Sequence, residues 1–508
     1  MPDAALSPQP ALPTYSHRQI VRVITGIMLC IFLASLDQTV IIPAVPAMAA
    51  DLNAFGHLSW IVTAYLLTST AATPIIGKLS DNWGRRALLL PGLALFIAAS
   101  MACGFAQSLP QLILARAAQG IGGAGLMSMA QAAVADVVSP RERGRYQGYM
   151  ASMWGLSSIA GPIVGGWVTD NLSWRWIFWA NLPIGLVAMV LCDRALRMIR
   201  RQSRPVRIDY VGSALLVAGV TALLLMLSWG GVEMPWESWP VVLLGVLGVM
   251  LLALLSWQER RAPDPILPPR LFGNGTFLRG VMIAFFSSLG LFGATFLLPL
   301  YFQLVLGRDA ATSGLLVMPF LTSSVIGAFF AGQGSRRLGR TKGITLAGLG
   351  LCVAGFAGLT AMTGGAPFWL VLLVSALLGI GIGTTMPSVL MQVQNAAERR
   401  DVGAATGSLL FLRSMGGAFG STIVGSVLIA TFNDGLQAAG LPAVDLGSLR
   451  GGRAAIAGLD QARAALSSGF QVAFAVCLGL LLVAVVIALG MKDLPLRSNV
   501  GPVRDIGH

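Results

Sequence analysis

Apolar stretches of about 20 residues recur along this chain from end to end, and each is long enough to cross the hydrocarbon core of a bilayer as a helix. Short segments that contain charged residues, glycine or proline separate them. The pattern predicts an all-α polytopic membrane protein with fourteen transmembrane helices. The predicted spans are 23–42, 58–77, 87–107, 110–133, 147–169, 176–191, 210–230, 239–257, 280–304, 311–333, 343–363, 367–391, 402–432 and 468–490.

The segments that connect these spans alternate between basic and poorly basic. Those on the side of the N-terminus carry most of the lysine and arginine, whereas the opposite side carries only Arg175, Arg308, Arg450, Arg453 and Arg463. Lysine and arginine accumulate in cytoplasmic loops, so both termini are predicted to be cytoplasmic. Topology therefore explains the net charge of +13, and we do not expect a nucleic acid as a partner.

The composition agrees with a membrane protein and argues against several kinds of site. Hydrophobic residues make up 55% of the 508 residues and charged residues only 11%, which is about half the charged fraction of a typical soluble protein. The five cysteines lack the spacing of metal ligands, and His17, His57 and His508 all fall outside the predicted spans. We therefore expect no metal, no cofactor and no enzymatic activity.

Two similar loops suggest that the chain contains a duplicated unit. GKLSDNWGRR, from Gly77 to Arg86, follows the second span, and GQGSRRLGR, from Gly332 to Arg340, follows the tenth. Transporters are commonly built from such repeats, so we predict two six-helix halves with two inserted helices between them. The predicted domains are a cytoplasmic tail (1–22), an N-terminal six-helix half (23–191), a linker with two additional helices (192–276), a C-terminal six-helix half (277–490) and a second cytoplasmic tail (491–508).

Three charged residues lie inside the predicted spans: Asp37 in the first, Arg116 in the fourth and Arg413 in the thirteenth. A charge at this depth costs about 2.5–3.5 kcal/mol, so it usually faces the interior of the bundle and marks a functional site. A carboxyl group there can carry a proton, because it is neutral when shielded and ionised when water or a cation reaches it. An interhelical hydrogen bond is the structural alternative for each residue. Arg413 is equally compatible with a close-packed helix interface.

The fifth span contains a run of small residues around one proline, GLSSIAGPIVGGW, from Gly155 to Trp167. Gly161 and Gly165 are four residues apart, so they share a helix face and permit the close approach of a second backbone. Pro162 removes one helical hydrogen bond and permits a bend. The run is typical of a hinge or seal between helices, and ordinary small-residue packing is the simpler alternative.

With these motifs the chain resembles the drug:proton antiporters of the major facilitator superfamily, in the branch with fourteen spans. The resemblance rests on LDQTVIIPAVP in the first span, GKLSDNWGRR after the second, LARAAQGIGGAG in the fourth and GLSSIAGPIVGGW in the fifth. Ile42 and Pro43 depart from the usual form of the first motif. The four motifs occur in the family's order within the first part of the chain, and the C-terminal half matches more loosely.

The resemblance implies a role for each motif. The positions that match those implicated in proton coupling are Asp37 and Arg116. The positions that match a conformational latch of the outward-open state are Gly77, Asp81, Gly84, Arg85 and Arg86. The positions that match the antiporter hinge motif are Gly155, Gly161, Pro162, Gly165 and Gly166. Arg413 is a candidate charged residue of the second half, and the substrate-binding residues stay unknown.

The resemblance also implies a function and a location. It implies a proton-coupled multidrug efflux transporter that works by alternating access. The expected substrates are lipophilic cations or neutral amphiphiles, because a dication usually requires a second carboxylate and the spans contain only one. The partners would be a small-molecule substrate, protons and the lipid bilayer of a bacterial inner membrane, with a periplasmic adaptor protein left open. A dedicated metabolite exporter or a proton symporter of the same fold is the alternative, although the fifth-span motif favours export.

Overall fold

The computed structural model describes residues 16–52, 59–197, 209–231, 233–308, 310–362, 367–438 and 460–496. Parts of the two predicted tails, of the basic segment after the sixth span and of the long segment before the last span lie outside the described residues. These parts are 1–15, 497–508, 198–208 and 439–459. All of the elements that carry the sequence motifs are described.

The described residues are almost entirely helical. The helices before the predicted linker are α1 (His17–Val40), α2 (Val45–Asp51), α3 (Ser59–Trp83), α4 (Arg85–Gly104), α5 (Leu109–Val137), α6 (Pro140–Asn171), α7 (Arg175–Trp179) and α8 (Asn181–Leu196). The next two are α9 (Tyr210–Trp229) and α10 (Trp239–Glu259). The others are α11 (Pro269–Gly273), α12 (Gly275–Leu304), α13 (Ala310–Leu338), α14 (Lys342–Ala361), α15 (Phe368–Ala396), α16 (Val402–Ala438) and α17 (Asp460–Leu489).

Within the described residues, twelve helices are long and apolar enough to cross a membrane, rather than the fourteen that the sequence predicts. The predicted spans 110–133 and 147–169 coincide with α5 and α6, which are 29 and 32 residues long but are richer in glycine and polar residues. Helix α5 packs against α1, α3 and α4, and α6 packs against α1 and α13. The faces of a helix that pack against other helices meet no lipid, so those faces need not be apolar.

Glycine separates α3 from α4 at a sharp corner. Gly84 has a φ of 90°, a conformation that glycine adopts readily because it has no Cβ and that other residues rarely adopt. The chain therefore ends α3 at Trp83 and begins α4 at Arg85 without a loop. This corner brings the charged residues at the end of α3 next to those at the start of α4.

Buried apolar side chains form separate clusters in the two ends of the sequence. One cluster contains residues of α1, α3, α4, α5, α6 and α8, and a larger one contains residues of α11 to α17. A smaller cluster joins α9 and α10 to α3 and α16 through Leu216, Leu223, Leu255, Phe411 and Met415. Helices α9 and α10 pack against each other, and α9 also contacts α3 and α16.

The helices of α1–α8 meet those of α12–α17 along two seams, α3 with α16 and α6 with α13. We use "basic end" for the end of the bundle that contains Lys78, Arg85, Arg143 and Arg336, and "opposite end" for the other. At the basic end the backbones of Gly144 in α6 and Gly332 in α13 touch, so that a Cβ on either would overlap the other's carbonyl oxygen. The bundle is therefore tightly closed there.

Candidate proton-coupling site and conformational latch

Asp37 and Arg116 form a buried ion pair near the opposite end of the bundle. Arg116 Nη1 lies 2.7 Å from Asp37 Oδ2, and both side chains are almost completely inaccessible to solvent. Arg116 also donates from Nε to the carbonyl oxygen of Ile61 at 3.2 Å, and its guanidinium carbon lies 4.4 Å from the centre of the Tyr65 ring. The structure thus brings together the two residues that the sequence places in the first and fourth predicted spans.

Two amides that the sequence analysis did not single out complete the surroundings of Asp37. Gln119 Nε2 and Asn181 Nδ2 each donate to Asp37 Oδ1 at 2.8 Å. Arg116 Nη1 donates to Gln119 Oε1 at 2.7 Å, which fixes the orientation of that amide. Asn181 also donates to Ser100 Oγ at 3.0 Å. Gln119 lies one turn from Arg116 on α5, and this i, i+3 spacing is the signal that could have indicated it.

The groups that surround Asp37 determine which of its protonation states fits this arrangement. Each described partner of the carboxyl group is a donor: the guanidinium of Arg116 and the amides of Gln119 and Asn181. An ionised carboxylate only accepts hydrogen bonds, whereas a protonated one must also donate. The arrangement fits the ionised form, and a proton on Asp37 would require at least one of these contacts to break or rotate.

Asp81 caps the N-terminus of a helix that is distant in sequence. It lies near the end of α3, and its Oδ1 and Oδ2 accept hydrogen bonds from the backbone N–H groups of Gly403 and Ala404, both at 2.8 Å. These are unsatisfied donors in the first turn of α16, where a negative charge also interacts favourably with the helix dipole. Arg85 Nη2 lies 2.7 Å from the same carboxylate. The contact joins the end of α3 to the start of α16 at the basic end.

The two arginines of the loop motif take different partners. Arg85 also pairs with Asp136 near the end of α5, at 2.8 Å from its Nε, and donates to Ser80 Oγ. Arg86 does not take part in the Asp81 contact, because it pairs with Asp193 on α8 at 2.5 Å. Only Asp81 and Arg85 therefore belong to the cluster on the α3–α16 seam, while Arg86 links α4 to α8. Nothing in the sequence indicated Asp136 and Asp193 as partners of these arginines, since acidic residues near helix ends are common.

The α3–α16 seam is also very close at the backbone level. A Cβ on Gly77 would lie 2.7 Å from the carbonyl oxygen of Gly403, and a Cβ on Gly403 would lie 2.5 Å from that of Gly77. Real Cβ atoms do not approach other atoms this closely. Glycine at both positions lets the two helices approach until Asp81 reaches the N–H groups of α16. Gly84 supplies the corner described above, so its role is conformational.

The glycines of the predicted hinge motif face two different neighbours. Gly161 and Gly165 lie against the last part of α1, where Cβ atoms would overlap Thr39 and the carbonyl oxygen of Val40. Gly155 instead faces Val325 of α13. Gly166 has no atom within 4 Å of where its Cβ would be, and Pro162 is inside α6. The motif therefore packs α6 mainly against α1, and only its first glycine contacts the later helices.

Arg413 lies on α16 and is not part of either cluster. Its side chain is half-buried, and its Nη1 lies 3.8 Å from the thioether sulfur of Met386 on α15. A thioether is only a weak hydrogen-bond acceptor. Within the described residues, no carboxylate forms an ion pair with Arg413. The candidate second-half charge is therefore a half-buried cation.

The sequence and the fold both match known transporters. The model of the Major Facilitator Superfamily matches residues 27–421. The chain is 37% identical over 409 residues to the Multidrug transporter protein MdtP of Bacillus subtilis (strain 168). The alignment covers 80% of this chain and 75% of that protein. It is 36% identical over 442 residues to the Efflux pump FUS6 of Gibberella moniliformis (strain M3125 / FGSC 7600). That alignment covers 84% of this chain and 77% of the pump.

Among solved structures, the proton:xylose symporter XylE superposes with a TM-score of 0.63 over 94% of this chain and 97% of that one, at 14% sequence identity. This likeness concerns the fold alone. The described residues form a multi-pass helical membrane protein of the same architecture, and proteins of this family transport small molecules and are not enzymes. The chain therefore belongs to the Major Facilitator Superfamily.

Proposed function

We propose that this protein is a proton-coupled multidrug efflux transporter that exports amphiphilic small molecules by alternating access. The observation that carries the proposal is the Asp37–Arg116 ion pair, a titratable group buried at bilayer depth and surrounded by hydrogen-bond donors. The relatives described as a multidrug transporter and an efflux pump support export as the direction of transport.

Proton coupling follows from the hydrogen bonds that Asp37 accepts. Binding a proton would convert one acceptor oxygen into a donor that faces Arg116 or an amide, so protonation disrupts the network around α1, α5 and α8. Loss of the proton would allow the network to form again. Because Asp37 lies near the opposite end, we propose that it receives its proton from that side and releases it to the basic side after the bundle has changed conformation. A proton moving inward gains about 2.3 kcal/mol per 100 mV of membrane potential.

The proposed latch supplies the conformational part of the cycle. With the basic end closed, Asp81 holds the start of α16 against α3 through hydrogen bonds to Gly403 and Ala404. Opening that end would separate α3 from α16 and leave Asp81, Arg85 and the two N–H groups without these partners. The latch therefore favours the conformation that is closed at the basic end, and substrate binding must offset its loss.

Several finer features belong to the same proposal. We propose that α5 and α6 also cross the membrane, which gives fourteen spans, with six in each half and α9 and α10 as the inserted pair. Both termini would then lie at the basic end, and the positive-inside rule makes that end cytoplasmic. A bacterial inner membrane is the proposed location, and a periplasmic adaptor protein stays an open partner.

For the substrate, lipophilic cations and neutral amphiphiles are the classes that the sequence predicts. In the closed bundle Asp37 is already neutralised by Arg116, so a cation has no unpaired carboxylate to bind at this site. Neutral amphiphiles therefore fit the geometry better. A dedicated metabolite exporter remains the second candidate, because the same coupling site would serve either substrate.

The experiment is an efflux screen in bacterial cells that lack their own drug pumps. Cells that produce the protein should retain less of several unrelated amphiphilic dyes than cells that produce the Asp37→Asn variant. A protonophore should abolish the difference within minutes. Efflux of one dye class alone would favour the dedicated exporter, and dye efflux that persists with the protonophore would refute proton coupling.

A further inference from the structure

Arg413 lies in α16 at some distance from the polar contacts that join the helices at the basic end. It lies about three turns from the start of α16, roughly 16 Å along the helix axis, which is about half the thickness of the hydrocarbon core. At the basic end α15 and α16 are joined by a hydrogen bond from Gln394 Nε2 to Thr406 Oγ1 at 3.1 Å. Two turns further along both helices, Arg413 and Met386 bridge the same pair of helices.

Two other faces of α16 are packed against neighbouring helices around this level. Gly416 lies against the backbone of Phe285 in α12, and Phe411 and Met415 belong to the apolar cluster with α3 and α9. The guanidinium contacts Met386 of α15, so it lies on the side of α16 that faces α15. A charge in such a position normally has a partner, since burying an unpaired charge is costly.

No carboxylate of the second set of helices can be that partner. The sequences of α12, α13, α14 and α15 contain no aspartate or glutamate. The acids of α16 and α17 are Asp434 and Asp460, which lie near the opposite end. Arg116, the other arginine at bilayer depth, is by contrast neutralised by Asp37. Arg413 thus presents guanidinium N–H groups whose described partner is one thioether.

We propose that Arg413 binds the anionic group of the transported molecule, so that the substrates include amphiphiles with a sulfonate, carboxylate or phenolate. The planar guanidinium matches such groups with paired hydrogen bonds, and Met386 supplies an adaptable apolar surface beside it. This inference rests on the export function proposed above and extends its substrate class from neutral amphiphiles to amphiphiles that carry an anionic group. An inside-negative membrane potential also drives an anion outward.

The test uses two dyes with the same ring system, anilinonaphthalene sulfonate, which is anionic, and phenylnaphthylamine, which is neutral. Their equilibrium binding is measured by fluorescence with the purified full-length protein in lipid nanodiscs. The proteins are the parent, Arg413→Gln, Arg413→Lys and Arg340→Gln, a control that removes the same charge from an exposed site at the basic end. Arg413→Gln should weaken sulfonate binding roughly 10-fold or more, as expected for loss of a charge-assisted hydrogen bond. Phenylnaphthylamine binding should change by less than about 3-fold on the same reasoning.

The ratio of the two affinities is the readout, because a misfolded variant would lose both dyes together. Arg413→Lys should keep part of the preference for the sulfonate, and Arg340→Gln should keep all of it. An unchanged ratio in Arg413→Gln would overturn the proposal. The parent protein could also bind the sulfonate through Arg413 and yet transport neither dye when a proton gradient is imposed. That result would refute the proposed export function and leave the anion-binding site intact.

Discussion

Two arginines at bilayer depth have opposite surroundings in this protein. Arg116 is buried, donates to Asp37, Gln119 and the carbonyl of Ile61, and lies over the Tyr65 ring. Arg413 is half-buried and has the thioether of Met386 as its described polar contact. Placing either charge in the membrane is costly, yet among the residues that the structure describes only Arg116 has a counter-ion.

The difference indicates what each arginine can do. A saturated ion pair holds helices together and would respond to a proton on its carboxylate, so we propose that Arg116 belongs to the coupling machinery. A cation without a counter-ion contributes little to the closed structure and can accept an external anion, so we assign Arg413 to substrate recognition. The comparison yields predictions that differ for the two residues in both stability and transport.

Replacing Arg116 should have the largest effect. Arg116→Ala leaves Asp37 buried without its cation, and breaking a buried pair in this way costs about 3–5 kcal/mol. We expect a marked fall in the free energy of unfolding in detergent and the loss of transport, with partial rescue by Arg116→Lys, which keeps the charge but not the fork geometry. An Ala variant as stable and active as the parent would show that the ion pair is dispensable.

The latch should have the next largest effect, and on conformation rather than on binding. Asp81→Ala removes two charge-assisted hydrogen bonds to α16, each worth about 1.5–3 kcal/mol, so the basic end should open more often. We expect slow or absent transport with dye affinity within a few-fold of the parent. Asp493→Ala, a carboxylate that pairs with Arg340 at the same end, should behave like the parent. Loss of dye binding in Asp81→Ala would place Asp81 in the substrate site instead.

The amides around Asp37 should have a moderate effect. Asn181→Ala removes one hydrogen-bond donor to Asp37 and one to Ser100. The loss should lower the free energy of unfolding by about 1–3 kcal/mol. The ionised form of Asp37 loses a hydrogen bond that the protonated form does not need. We therefore expect slower proton-coupled transport by this variant, with dye affinity within a few-fold of the parent. Transport at the rate of the parent would show that Asn181 only fills space.

Arg413 should matter least for stability. Arg413→Met removes a cation that lacks a counter-ion, so the free energy of unfolding should change by less than about 1 kcal/mol or increase. The free energies of unfolding of Arg413→Met and Arg116→Ala should be measured in the same detergent. Their difference reports how much a counter-ion changes the effect of removing an arginine. A loss as large as that of Arg116→Ala would mean that Arg413 has a structural partner, and the comparison would fail.

The sequence predicted the residues whose type is unusual for their position. Asp37, Arg116 and Arg413 are charged residues within apolar stretches, and the Asp81 loop matches a repeated motif. The sequence did not predict the additional partners Gln119, Asn181 and Asp136, because they are common residue types at ordinary places in a helix. It also could not predict that Gly77 meets Gly403, since close approach depends on two helices that are far apart in the chain.

The predicted helices agree with the described ones in order, but the span count illustrates a limit of hydropathy. Helices α5 and α6 carry the arginine and glycine motifs, and those residues lower their apolar character. The faces of these helices that pack against other helices can carry glycine and polar residues, because neighbouring helices and not lipid cover those faces. Length and hydropathy therefore identify strongly apolar helices such as α10 more readily than α5 and α6.

The most direct test of proton coupling is transport by purified protein in liposomes under an imposed pH gradient, with phenylnaphthylamine as the neutral probe. The parent should accumulate the dye against its gradient while protons move in the opposite direction. Asp37→Asn should bind the dye with similar affinity but only equilibrate it, with no associated proton movement. Accumulation by Asp37→Asn that still consumes the pH gradient would contradict the assignment of Asp37 as the proton carrier.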